Sequence, residues 1–311
     1  CLKLWRQAMS TAFVSTVENK IRSTFGETMK LPLMGPDNMP TPHYGICRTD
    51  IEGREAWFPR TMKKGYQEHT LEDVVEICRI AAAGFDLPDD KVKVDCCWGR
   101  NGHRVSIAPS SDHRRALANS PEDTLWPRFI LRADFGFKFV ASAGMYRDAC
   151  ANLQMIRRVE GTTISLRHSS GFRDHFDDTV EDFRSLAAKY DNIVEAANAL
   201  NERRVQTADF IAELFPEPAE DSSNAKKGRH RAKIEKMVLR LHREQSNIHG
   251  RVDMSNGKHW ATSWQLANMV TGYVQHDMTR TGKKTDDERA FMAIEDGLCD
   301  RAWDLAYQMS A

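Results

Sequence analysis

The sequence lacks the markers that most readily assign a protein to a class. Nowhere in its 311 residues is there an apolar run near the roughly 18 to 20 residues that a membrane span needs, so no membrane is expected as a partner. Glycine (18) and proline (11) are too scarce for a collagen-like or low-complexity chain. The seven cysteines (Cys1, Cys47, Cys78, Cys96, Cys97, Cys150 and Cys299) are odd in number and contain no Cys-x-x-Cys pair. That argues against a disulfide framework or structural zinc and for free, buried thiols. Lys3 and Arg6 interrupt the first apolar stretch, so no signal-peptide core is read and a cytoplasmic location is expected; the start at Cys1 reads as a trimmed chain. Absent too are G-x-x-x-x-G-K-[ST], G-x-G-x-x-G after a strand, G-x-S-x-G and H-E-x-x-H. Nucleotide-driven and serine-hydrolase chemistry lose their usual support, and neither a cofactor nor a catalytic residue is expected.

Charge of one sign is missing as well. Forty-four basic and 44 acidic side chains cancel, so no global field draws the chain to nucleic acid, and any such binding needs a local patch. What is present, 41% hydrophobic and 28% charged residues, is the balance of an ordinary globular protein with enough apolar area for a core.

Leu4 to Phe25 carries apolar residues at helical spacing, and loops with short strands are expected from Leu31 to Pro59. Thr70 and Asp73 form a capping-box start for a helix over Leu71 to Ala83. Alternation then predicts a hairpin of Lys91–Trp98 with His103–Ala108. A second pairs Arg128–Arg132 with Phe135–Val140 through Ala133-Asp134, and a further strand covers Thr163–His168. Asp177, Asp178 and Thr179 suit the start of a long helix to Leu214, whose seam through Phe183, Leu186, Tyr190, Ile193, Ala197 and Leu200 is that of a helix crossing the sheet or of a coiled coil. Pro216 to Asn224 is the best boundary, and helices follow over Lys226–Arg243, Lys258–Met278 and Asp286–Met309. The expected fold is α+β: a central antiparallel β-sheet crossed by a long helix, with a C-terminal helical module. The expected domains are a core over 1–218 and that module over 225–311.

Arg147, Arg157, Arg158, Arg167 and His168 gather cationic or potentially cationic groups near one end of the predicted sheet, with Lys138 on its solvent face. Guanidinium forks grip phosphate oxygens without reading bases, though ion pairs with Asp134, Asp148 and Asp174 explain the same residues. Phe135, Phe137 and Phe139 alternate either into the core or out as base-stacking rings. Lys226 to Arg243 is either a nucleic-acid arm or a solvated helix face. His168, Asp174, His175, Asp177 and Asp178 are a candidate ligand set for a metal-dependent nuclease, or acids placed by a helix dipole.

Three ordered motifs carry a family resemblance: Arg147-x-x-Cys150-x-Asn152, then Ile164-x-Leu166-Arg167-His168-Ser169, then Thr262-x-Trp264-x-Leu266-x-Asn268-x-x-Thr271-x-Tyr273-Val274-x-His276. Over roughly Tyr44 to Met309 the chain resembles the phage/plasmid-like proteins of domain of unknown function nine-three-two. It departs from them at Met269-Val270, where the family has a small residue. The resemblance implies a mobile-element protein and carries over no catalytic residues. Mobile elements often encode single-strand annealing proteins, whose small antiparallel sheet and long helix look like the order read here. The expected function is therefore sequence-independent single-stranded DNA binding and annealing by a homo-oligomer. Lys138, Arg147, Arg157, Arg158 and Arg167 would hold phosphates, and Asn152 and His168 would orient the site. The alternatives are the nuclease and a structural or host-interaction protein assembled through the seam.

Overall fold

Residues four apart decide the first element. Val17 and Ile21 share one face of helix α1 (Thr16–Thr24) and are buried there, with Phe25 following them into the core. The computed structural model describes residues 16–49, 55–85, 91–109, 114–147, 152–154, 163–179, 182, 185, 189–249, 260–278 and 285–310. The expected helix start at Leu4 lies outside them. Strands β1 (Thr28–Met34), β2 (Pro40–Thr49) and β3 (Glu55–Lys63) pair in that order as an antiparallel sheet. Helix α2 (Leu71–Ala83) has the predicted bounds because the capping box closes. Asp73 N–H donates to Thr70 Oγ1 (3.3 Å), and Thr70 N–H donates to the Asp73 carboxylate (2.6 Å).

Strands β4 (Val92–Trp98) and β5 (Gly102–Pro109) form the first predicted hairpin, with Trp98 opposite His103. β6 (Arg115–Leu117), β7 (Ser120–Asp134), β8 (Lys138–Arg147), β9 (Asn152–Gln154) and β10 (Thr163–Arg167) complete a seven-stranded antiparallel sheet of order β10-β8-β7-β5-β4, with β6 on β7 and β9 on β8. The second hairpin turns later than its sequence suggests. Ala133 and Asp134 stay in β7 opposite His103 and Gly102, and Asp134 ion-pairs with Arg104 (2.7 Å) and Arg132 (3.0 Å). Phe135-Gly136-Phe137 makes the connection instead, with Gly136 at φ +75°.

The single helix predicted to run to Leu214 is divided. Asp177 and Asp178 end a short helix, α3 (Phe172–Asp178), rather than start one, and Thr179 is its C-cap. Helix α4 (Tyr190–Glu202) stops at Arg203, which is extended; β11 (Arg204–Gln206) then pairs with a later strand, and α5 (Thr207–Leu214) resumes. The seam reads as continuous because Tyr190, Ile193, Ala197, Leu200, Ile211 and Leu214 are all buried. Between them Val205 points inward by strand alternation, not helical turn. The longest described helix is α6 (Asn224–His249). β12 (Trp260–Thr262), the partner of β11, leads into α7 (Ser263–Gly272), a π-helical turn over Tyr273–Asp277, α8 (Asp286–Ile294) and α9 (Gly297–Ser310). The last predicted helix is cut at Asp296, whose carboxylate accepts the Leu298 N–H (3.0 Å).

The fold is thus α+β. Two compact units divide it: one of 1–110, 129–142 and 163–188, the other of 111–128, 143–162 and 189–311, so the polar segment 216–224 lies within the second. The core of the first gathers Val17, Ile21, Val74, Ile77, Ile107 and Phe139; that of the second gathers Ile193, Leu200, Phe210, Leu241, Trp264 and Trp303. Among the described residues no helix is long and apolar enough to cross a membrane.

Candidate nucleic-acid interface

The β7–β8 connection, in the first unit, is fixed from several sides. Gly136 needs its left-handed backbone, and a Cβ there would lie 3.3 Å from Arg60 Cβ. Its N–H donates to Tyr66 Oη (2.9 Å). Phe135 is buried, stacked on His69 with ring centres 4.3 Å apart, and Phe139 is buried as well. The aromatic triplet therefore splits: two rings serve the core, and Phe137, 37% exposed, stands at the tip under the Arg60 guanidinium, 3.5 Å from its ring centre.

Beside the tip, Lys138 and Arg167 are directly opposed on β8 and β10, and both are exposed. Neither has an ion pair among the described residues. Like charges directly opposed across strands destabilise a sheet, so this arrangement gains when a polyanion lies across it.

His168 is the outer member of a chain of imidazoles. Its Nδ1 lies 3.3 Å from the Phe137 carbonyl, its Nε2 lies 2.9 Å from His69 Nδ1, and His69 Nε2 lies 3.0 Å from His103 Nδ1. A carbonyl can only accept, so neutral His168 donates from Nδ1, and each inner ring donates from Nδ1 to the Nε2 outside it. The series ends at His103 Nε2, buried with no hydrogen-bond partner among the described residues. Burial lowers the pKa of all three rings, that of His103 to about 3, so the chain is neutral near pH 7. His168 thus holds the Phe137 carbonyl at the tip.

The remaining candidates lie elsewhere. Arg157 and Arg158 are outside the described residues, as is the side chain of Asn152, whose backbone pairs with Arg147. Arg147 belongs to the second unit and is fully buried. Its guanidinium grips Asp123 bidentately (Nε to Oδ1 2.7 Å, Nη2 to Oδ2 2.8 Å) and donates from Nη1 to Glu244 (2.8 Å). Its fork faces carboxylates where phosphates were expected. Trp264 Nε1 donates to the same Asp123 carboxylate (3.0 Å), Asn268 to the Trp264 carbonyl (2.8 Å), and Thr262 caps α7. Of the residues that carry the family resemblance, Arg147, Trp264 and Asn268 therefore lie in a buried polar framework.

Two carboxylates share one cation there, and burial pushes Glu244 up from 4.5 to about 7. Below pH 4.5 both folded and unfolded chains carry this proton; between there and pH 7 the unfolded chain has lost it, so the contribution of Glu244 to stability falls as pH rises through that window. A shift of this size corresponds to about 3 kcal/mol. The buried imidazoles, with lowered pKa values, add stability in both proteins as pH rises from 5 to 8, so the Glu244 contribution is read as a difference: in urea unfolding the wild type is expected to gain less stability over that range than Glu244→Gln. Parallel profiles would contradict the assignment.

Within the basic run on α6, Lys226, Lys227, Arg229, Arg231, Lys236 and Arg243 are exposed, whereas Lys233 lies over Phe215 (4.0 Å) and Arg240 pairs with Asp277. Of the proposed metal ligands, His168 is engaged in the imidazole chain, and Asp174, His175, Asp177 and Asp178 lie along α3. Among the described residues no three His, Cys, Asp or Glu side chains are grouped to hold a metal ion. Sequence reasoning missed Arg60, His69, His103, Asp123 and Glu244. Only the alternation that placed His103 on a strand gave any signal for them.

The model of the family described as Domain of unknown function (DUF932) matches residues 137–294. No curated protein and no solved structure matches the chain.

Proposed function

The chain belongs to the DUF932 family, and from that premise we propose that it binds single-stranded DNA without sequence preference and anneals strands as a homo-oligomer. The setting we infer is recombination of a phage or plasmid in the cytoplasm of its host. The observation that carries this reading is the juxtaposition of Lys138 and Arg167, opposed and exposed, beside the Arg60–Phe137 stack. Single-strand binders need those two elements: cations that track the backbone and a π surface that accepts any base. Lys138 and Arg167 hold phosphates. The guanidinium plane of Arg60, braced by Phe137, stacks a base and adds a third positive charge. His168 acts on the tip through the Phe137 carbonyl and touches no nucleotide. The exposed cations of α6 offer a second run of phosphate contacts in the other unit.

A labelled mixed-sequence oligonucleotide titrated over a salt series, with its complement added to follow annealing and mass photometry to size the assembly, tests the reading. Salt-sensitive binding, accelerated annealing and an oligomer are expected. Absence of binding at low salt would overturn it.

A further inference from the structure

Between the loop leading into α2 and the start of α3 lies a cavity of about 470 Å³ whose lining includes Lys30, Lys64, Tyr66, Glu68, Ser170 and Arg173. Its volume falls within the roughly 300 to 1,000 Å³ of small-ligand sites. Lys30 pairs with Glu68 and Arg173 with Asp73, so Lys64 leaves the site with a positive excess that favours an anion.

The cations are held in place without being used up. Arg173 Nη1 pairs with Asp73, the carboxylate that also closes the cap of α2, which tethers the guanidinium at one nitrogen. Its Nη2 makes only a 3.5 Å contact to the Glu68 carbonyl, and the side chain is 44% exposed, so several of its five N–H donors remain available. Lys30 Nζ donates to the Tyr66 carbonyl (2.7 Å) and to Glu68 (3.0 Å), leaving one of its three donors. Lys64 is exposed and has no ion pair among the described residues. A guanidinium tethered at one nitrogen, a tethered ammonium and an exposed one suit the tetrahedral, doubly charged head of a phosphate monoester.

We propose that this cavity binds a phosphate monoester of nucleotide size. The shared chemistry has two sources, a free nucleotide or the 5′-phosphorylated end of a strand. The assignment goes beyond the function proposed above and stands on Lys30, Lys64 and Arg173, cations that the interface does not use.

Calorimetric titration of the full chain with thymidine 5′-monophosphate and with thymidine tests it. The monophosphate is expected to bind and thymidine not. Lys64→Ala and Arg173→Ala should each weaken binding about ten-fold or more, as loss of a charge-assisted hydrogen bond does. Because Arg173→Ala also strips Asp73 of its partner, the exposed Lys64 provides the variant that leaves folding intact. Lys138→Ala/Arg167→Ala should leave monophosphate binding unchanged. A companion oligonucleotide pair assigns the source: tighter binding of the 5′-phosphorylated strand points to a strand end, and equal binding to a free nucleotide. Equal affinity for thymidine and its monophosphate, or binding of neither, would overturn the proposal. Monophosphate binding without any oligonucleotide binding would keep the cavity and remove the interface reading instead.

Discussion

Replacing Arg147 by alanine is expected to destabilise the protein by about 3 to 5 kcal/mol, because it leaves buried carboxylates without their cation. Asp123 and Glu244 are 1% and 2% exposed at the side chain, so water cannot substitute for the lost guanidinium. Trp264 donates to Asp123 from within the same network, which makes tryptophan fluorescence a direct reporter of unfolding in urea. Arg147→Lys keeps the charge and loses the fork, and should fall between the two. Single-stranded DNA affinity per folded molecule should stay within two-fold of the wild type. Unchanged stability with lost DNA binding would return Arg147 to the phosphate-binding role that its place in the sequence suggests.

Phe137→Ala is expected to weaken single-stranded DNA binding by about 0.5 to 1 kcal/mol, roughly 2- to 5-fold, because the Arg60 guanidinium that stacks the base loses the ring that braces it. The ring is partly exposed and lies outside both main cores, so stability should change little. Phe137→Tyr retains the π face and should bind as the wild type does. If alanine bound equally well, the tip would have no part in binding, and the cations of α6 would become the surface to pursue.

How far the sequence carries is clearest where local chemistry decides the outcome. Helix α2 has its predicted bounds because Thr70 and Asp73 complete a cap within four residues. The β4–β5 hairpin is legible because its alternation is uninterrupted. The tip was misplaced because Ala133-Asp134 resembles a turn pair, while the ion pairs of Asp134 with Arg104 and Arg132 hold it in the strand. The break at Arg203 was hidden because a strand segment and a helical seam place the same residues inward there. Arg147 shows the limit most plainly. Arginine at the end of a sheet suits phosphate equally well, and the carboxylates that claim it lie 24 and 97 residues away in the chain. The imidazole chain is likewise assembled from positions 34 and 99 residues apart, a proximity that no local pattern encodes.

The most direct test of the proposed interface is the salt dependence of single-stranded DNA binding by the wild type and by Lys138→Ala/Arg167→Ala. Each lost phosphate contact should lower the slope of log K against log salt by about 0.7, so the double variant should fall by about 1.4 while its unfolding midpoint does not fall. An identical slope in the two proteins would contradict the assignment of these residues to the DNA backbone.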